Sequence, residues 1–148
     1  MPPIIVRDAT PGDATGIVPL LDALGYPADR ETIAVRLNAL RLVDPAGRVL
    51  VAVEGDQVVG FATLHSTPVL HRATGVGRIT GIAVRPSVQG RGVGRELLRA
   101  AEGHFRAQGL ERIEVTSGPT HQAAYQFYRR LGYLDQGVRF AKSLIGAS

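Results

Sequence analysis

The chain has 148 residues, 45% hydrophobic and 20% charged, with 17 Lys and Arg against 13 Asp and Glu for a formal net charge of +4. That length suits one domain with a real core, the composition excludes a disordered chain, and the lack of cysteine excludes disulfides, thiolate metal sites and a cysteine nucleophile. No apolar run approaches the roughly 20 residues that span a bilayer, and "MPPIIVRDAT" lacks the basic-then-apolar order of a signal peptide, so a cytoplasmic protein without membrane partners is expected.

"IIVRDAT" (4–10) reads as a first strand. Thr10-Pro11-Gly12-Asp13 then reads as a helix start, with a threonine cap, proline at the first position and an acid at the third. Ile17, Leu20, Leu21 and Leu24 continue at helical spacing until Gly25. A second helix is predicted from Asp29 to Leu42, with Ile33, Leu37 and Leu40 on one face. "RVLVAVEGDQVVGFATLH" (48–65) gives two strands around Gly55-Asp56, a hairpin signal. "GRITGIAV" (77–84) is another strand, and Val93, Leu97, Leu98, Ala101 and Phe105 form a helical stripe closed by Gly109. A strand over 110–117, a helix over 121–133 and a closing strand over 138–145 complete the chain. The order β-α-α-β-β-β-α-β-α-β indicates an α/β single domain with a mixed sheet.

The basic residues are nearly all arginine, Lys142 being the sole lysine. Coding bias and an anionic partner both account for that. The arginines are scattered and aromatics are 5% of the chain, so no nucleic-acid surface is expected. One concentration stands out: Arg85, Arg91, Arg95 and Arg99 sit on "RPSVQGRGVGRELLRAA" (85–101), where Gly90, Gly92 and Gly94 alternate before a helix. A Walker A loop would need a Gly-Lys-Ser/Thr ending, and a dinucleotide fingerprint would need G-x-G-x-x-G within a βαβ unit. Neither is present. Two readings stay open: an ordinary turn, or a pyrophosphate cradle in which bare amides, the helix dipole, Arg91 and Arg95 face an anion.

The run "IAVRPSVQGRGVGRELL" resembles the acetyl-CoA motif of the GNAT N-acetyltransferase superfamily, Gln/Arg-x-x-Gly-x-Gly/Ala, with Gln89, Gly92 and Gly94 at the motif positions. "AYQFYRRLGY" (124–133) resembles the second motif, A-x-x-F-Y-x-x-x-G-Y/F. With the element order, the resemblance covers essentially the whole chain, 1–148. "VVGFATLH", "VLHR" and "VRFAKSL" are also similar to bacterial acetyltransferases of small amines, of the aminoalkylphosphonate and aminoglycoside type. The resemblance implies a single-domain GNAT fold: a mixed, mostly antiparallel twisted sheet flanked by about four helices. It also implies direct transfer of an acetyl group from acetyl-CoA, as cosubstrate, to a primary amine of a small molecule, with a homodimer as the expected assembly.

By that resemblance, the backbone of Ile82, Ala83 and Val84 would bind the pantetheine arm like an added strand, and one N–H would polarise the thioester carbonyl. Gln89, Gly90, Arg91, Gly92, Val93, Gly94 and Arg95 would hold the pyrophosphate. His121 stands nearest to the place where relatives carry a loop asparagine. Tyr128 matches the general acid that donates to the departing sulfur; the alternative is that it packs on the apolar face with Ala124 and Leu131.

Relatives often carry a glutamate base at places matching Arg78 and Gly81, and neither is acidic here. His65 and His71 are the candidate bases, against ordinary structural or surface histidines, and Glu114 is an outside candidate. By strand alternation Arg78, Thr80 and Ile82 share a side. Arg78 is read either as a site for a carboxylate or phosphonate on the acceptor or as an outer ion pair. Four scattered histidines give no metal site. The other functional readings are a protein or peptide amine acetyltransferase and a catalytically weak acetyl-CoA sensor.

Overall fold

The structure, a computed structural model, describes residues 2–116, 122–137 and 139–146. The β-branched start forms β1 (Ile4–Asp8), which lies antiparallel to β2 (Arg48–Glu54). Between them, a 3-10 turn at Pro11–Asp13 leads into α1 (Ala14–Leu24), which ends at Gly25 with φ of 88°. Helix α2 (Arg30–Val43) begins where the Asp29 carboxylate accepts the Thr32 N–H at 2.7 Å. The Pro11 entry and the Gly25 stop are those expected from the sequence, whereas the capping role of Asp29 and the end of α2 at Asp44 were not read there.

Asp13 fastens this entry to the sheet. Its carboxylate accepts from both terminal nitrogens of Arg7, at 2.8 and 2.9 Å, and from the Thr10 N–H at 2.7 Å. The side chain is buried, and the Arg7 hydrogen bonds hold its carboxyl below the usual carboxylate range. A depressed native pKa contributes stability that is present above the unfolded value, about 3.9, and is lost as pH falls through the native one. Asp13→Asn is therefore expected to cost about 1–3 kcal/mol at neutral pH, and less in acid where the wild type has itself lost the pair. Urea unfolding at two pH values checks this; an equal loss at both would remove the ion pair as the cause.

The Gly55-Asp56 turn joins β2 to β3 (Gln57–Thr67), and β4 (Val76–Val84) returns antiparallel to β3. Strand β5 (Ile113–Val115) lies parallel to β4, giving the order β1-β2-β3-β4-β5, a mixed and mostly antiparallel sheet. On one face α1 and α2 close a core of Ile17, Leu20, Ile33, Leu37, Val51 and Phe61. On the other lies α3 (Val93–Ala107), with Val93, Leu97, Leu98, Ala101 and Phe105 buried. Contact there is close: a Cβ on Gly77 would stand 2.5 Å from the Phe105 ring, too near for any residue but glycine, and one on Gly60 would press on Leu97 at 3.1 Å.

The chain divides into two compact units, 1–116 and 117–148. The second contains α4 (Gln122–Arg130), followed by Gly132 at φ 91°. Two expectations need correction. Of the strand predicted over 110–117, Ser117 lies outside the described residues, and residues 110–116 form a strand only at Ile113–Val115, which pairs with Gly77–Ile79. The closing strand predicted over 138–145 does not form among the described residues 139–146, where Phe140, Leu144 and Ile145 are exposed. Alternation makes a strand only when a ladder receives its backbone.

Candidate active site

The sheet opens at β4. Strand β5 pairs with Gly77, Arg78 and Ile79 and ends at Val115, so Thr80–Val84 has no strand on that side among the described residues. The opening coincides with a β-bulge. Thr63 of β3 faces Gly81 and Leu64 faces Ile79, leaving Thr80 as the extra residue. Bulges bend a strand and raise its twist, and this one falls where the pairing of β4 with β5 ends.

The ladder fixes which amides line the opening. Arg85 donates its N–H to the Val59 carbonyl at 2.7 Å, and Ala83 faces Phe61 in the same register. Alternation then directs the amide of Ala83 into β3 and those of Ile82 and Val84 outward. Of the three backbone positions expected to receive an extended ligand, two present their polar groups to the open edge. The outward Val84 carbonyl accepts from the Gln89 side chain at 3.4 Å.

Beyond β4, a 3-10 turn (Pro86–Val88) leads to Gly90 and Gly92, at φ of 83° and 84°. These left-handed conformations are strained for any residue with a Cβ. Gly92 is the N-cap of α3 and supplies no side chain to its free amides, while Val93 and Gly94 form the first positions of the helix. A Cβ on Gly90 would meet nothing within 4 Å, and one on Gly92 only an Arg95 nitrogen at 3.7 Å, so the space above this turn is open. Arg95 is exposed in the first turn, where a cation opposes the helix dipole. Arg91 differs: its guanidinium pairs with Glu54 at the end of β2, and both are half-buried. That carboxylate, which the sequence did not single out, ties the loop to the hairpin and offsets the Arg91 charge. Among the residues read as a pyrophosphate cradle, the turn fits an anion through its amides and Arg95 more than through Arg91.

A second group of polar side chains lies on the sheet face opposite α3. Gly77 points its missing Cβ at Phe105, so Arg78 projects to the other face. The bulge then breaks the alternation: Gly81 faces Phe61, which packs in the α1–α2 core, and Ile82 falls on the α3 side. The expectation that Arg78, Thr80 and Ile82 share one side is therefore wrong for Arg78 and Ile82. An inserted residue shifts the period by one.

Arg78 stands in register between His65 on β3 and Glu114 on β5. Its Nη2 lies 3.4 Å from Glu114, the ion pair that one reading expected. Arg112 donates to the same carboxylate at 2.8 Å. The Arg112 hydrogen bond, with the charges of Arg78, Arg112 and Arg72, holds the Glu114 carboxyl below the usual range. A carboxylate so stabilised is a weaker proton acceptor, which counts against Glu114 as base. His71 is exposed on the loop between β3 and β4, beside an open polar cleft with Arg72, Thr74 and Arg112. His65 is half-buried, its Nδ1 3.2 Å from Asp44 at the C-cap of α2. Sequence reading singled out His65 but missed Asp44, which is distant in the chain and carries no motif.

In the second unit, Tyr128 stacks edge-on with Phe127 and Tyr133, at ring distances of 5.3 and 5.8 Å. Burial pushes its phenol above the usual value. It is thus a protonated, partly desolvated hydroxyl at neutral pH. His121 lies outside the described residues. Among those described, no cluster of three or more His, Asp or Glu side chains could hold a metal ion, and no helix is long and apolar enough to cross a membrane.

Comparison with known proteins adds to this geometry. The aminoalkylphosphonate N-acetyltransferase of Salmonella typhimurium is 32% identical, the match covering 97% of this chain and 94% of the relative. The mycothiol acetyltransferase of Renibacterium salmoninarum is 33% identical over 73% of this chain, which spans 33% of that longer relative. Among solved structures, a transcriptional regulator from Bacillus halodurans C-125 superposes with a TM-score of 0.83 at 23% identity, covering 95% of this chain and 100% of the other. An aminoglycoside acetyltransferase from an uncultured soil metagenomic sample gives a TM-score of 0.77 at 21% identity, with 95% and 96% covered. At such identities these two structures speak for the fold alone. The model of the Acetyltransferase (GNAT) family matches residues 20–133, spanning the bulged strand, the glycine turn and α4. With the mixed sheet in place and a curated acetyltransferase aligned along nearly the whole chain, this protein belongs to the GNAT family and is an N-acetyltransferase.

Proposed function

We propose that residues 1–148 act as one N-acetyltransferase domain that moves an acetyl group from acetyl-CoA directly to the primary amine of a small molecule carrying a carboxylate or phosphonate. The observation that carries this reading is the parting of β4 from β5 at the Thr80 bulge, beside an open glycine turn at the start of α3. The outward groups of Ile82 and the outward N–H of Val84 suit an extended amide-bearing arm, as at any sheet edge, while the Val84 carbonyl is met by Gln89. The amides after Gly90, with Arg95, suit a pyrophosphate. Arg78, with Arg72 and Arg112 near one shared carboxylate, leaves positive charge for an anionic acceptor group. The aminoalkylphosphonate activity named for the Salmonella relative supports that acceptor class.

In the proposed reaction Tyr128 donates a hydrogen bond to the sulfur as the C–S bond breaks. With a thiol near 8.5 and a tyrosine near 10, full proton transfer to thiolate already runs uphill by roughly 2 kcal/mol. Burial of Tyr128 raises that cost, favouring a strong hydrogen bond in the transition state over complete transfer. A histidine, His65 or His71, takes the amine proton through water.

The test is a mass-spectrometric screen of a polyamine, an aminoglycoside, an aminophosphonate and a peptide with acetyl-CoA. Acetylation of the aminophosphonate is the expected result. Acetylation confined to the peptide would replace this reading with a protein acetyltransferase, and CoA binding without any product would replace it with a sensor. Within the active case, Arg78→Ala should raise the acceptor KM roughly tenfold or more, as for one lost charge-assisted bond, and leave the acetyl-CoA KM unchanged. Equal KM values for charged and uncharged acceptors in both proteins would remove Arg78 from recognition.

A further inference from the structure

The structure separates the two histidines that the sequence could not. His71 is solvent-exposed on a loop. His65 is held: only 26% of its side chain is exposed, Asp44 is 23% exposed, and Nδ1 stands 3.2 Å from Asp44 Oδ2. An ionised carboxylate only accepts hydrogen bonds, so this contact requires the proton on Nδ1. In the neutral ring the lone pair is then on Nε2. The other carboxylate oxygen, Oδ1, accepts the Gly47 N–H at 3.1 Å, which fixes the carboxylate against the start of β2.

We infer that His65 is the proton acceptor of this N-acetyltransferase and that Asp44 is its positioning residue, a base-and-orienter pair built from β3 and the end of α2. The inference rests on the proposed transfer to an amine. Three further observations support it. His65 faces Arg78 across β3 and β4, beside the residue assigned to the acceptor's anion. Thr63, two residues before His65, faces Gly81 at the bulge, so His65 stands only about 7 Å along the strand from the opening. Between His65, Asp44 and Thr63 lies a small cavity of about 20 Å³, enough for one water molecule with polar partners. Neither Arg78 nor Gly81 supplies a carboxylate on β4, and a Cβ on Gly81 would stand 3.5 Å from the Phe61 ring and 3.9 Å from the Thr63 hydroxyl. The charged groups around the pair are Arg41 from α2, Arg48 from β2 and Arg78 from β4.

The step balances. The acceptor's ammonium gives one proton, through water, to Nε2 of His65, making an imidazolium opposite the Asp44 carboxylate. The free amine forms the C–N bond to the acetyl carbonyl carbon while the C–S bond breaks. Tyr128 donates a hydrogen bond to the departing thiolate, and the second proton lost from nitrogen ends on that sulfur as the free thiol. The imidazolium returns its proton to solvent, so the net products are amide, free thiol and one proton.

Two measurements test the pair. In the free protein, ¹⁵N–¹H correlation spectra of the imidazole should show the Nδ1-protonated tautomer for His65, and Asp44→Asn should move the population toward the Nε2-protonated form. The asparagine oxygen can still accept from Gly47, which keeps the local fold. An Nε2-protonated ring in the wild type would overturn the inference without any turnover assay. In steady-state kinetics with acetyl-CoA and aminomethylphosphonate, His65→Ala should lose about 10²–10⁴-fold in kcat, with the acetyl-CoA KM unchanged, and regain activity with added imidazole. Asp44→Asn should lower kcat by a smaller factor, and Asp44→Asn combined with His65→Ala should fall no further than His65→Ala alone. Full activity in His65→Ala would overturn the dyad while leaving the acetyltransferase reading intact. No turnover by the wild type with any amine would count against the proposed acceptor reaction instead, and the tautomer measurement would still decide the pairing.

Discussion

Tyr128→Phe is expected to lower turnover by roughly ten- to a thousandfold, within and just below the range for loss of a general acid, with little change in acetyl-CoA affinity. Phenylalanine retains the ring that packs edge-on against Phe127 and Tyr133 and removes only the hydroxyl. The expected signature is a fall in kcat and kcat/KM together, because the bond to sulfur strengthens only as the C–S bond breaks. A thioester with a better leaving group should narrow the gap between variant and wild type. If the variant turns over normally but melts at lower temperature, Tyr128 is a packing residue. Pre-steady-state and steady-state rates with thermal melts distinguish the two outcomes.

Gly92→Val is expected to weaken CoA binding by at least a hundredfold, since a β-branched side chain would fill the space over the first amides of α3. The variant also pays a backbone cost. At φ of 84° a residue with a Cβ is strained by about 1–3 kcal/mol, so some loss of melting temperature should accompany the lost affinity. Arg95→Ala supplies the comparison without that strain: it should weaken CoA less and flatten the salt dependence of binding. Calorimetry on folded Gly92→Val protein showing wild-type CoA affinity would remove the cradle altogether. Arg91→Ala is a poorer probe of the phosphate, because Arg91 is already engaged by Glu54 and its loss frees a half-buried carboxylate.

The parts of this protein legible in the sequence are those set by short-range chemistry. Helix α1 begins after Thr10-Pro11 and ends at Gly25, α2 begins at Asp29, and the β2–β3 turn falls at Gly55-Asp56, because caps, prolines and left-handed glycines act within a few residues. The glycine turn before α3 and the Phe-Tyr helix could be found for the same reason: each is a contiguous pattern. The family follows from those two patterns together.

Tertiary structure decided what depends on partners distant in the chain. The Thr80 bulge exists only in the pairing of β3 with β4, and it reverses the side to which Ile82 points relative to Arg78. The 138–145 segment has the composition of a strand, yet composition supplies no ladder, and its described residues form none. Arg91 looked like a phosphate ligand until Glu54, 37 residues earlier, met it. His65 and His71 were equivalent by type and position, and they became different only when α2 carried Asp44 to one of them. A sequence determines local conformation through steric and hydrogen-bonding preferences of neighbouring residues. Which charges pair and which amides remain open is settled by the register of strands that meet only on folding.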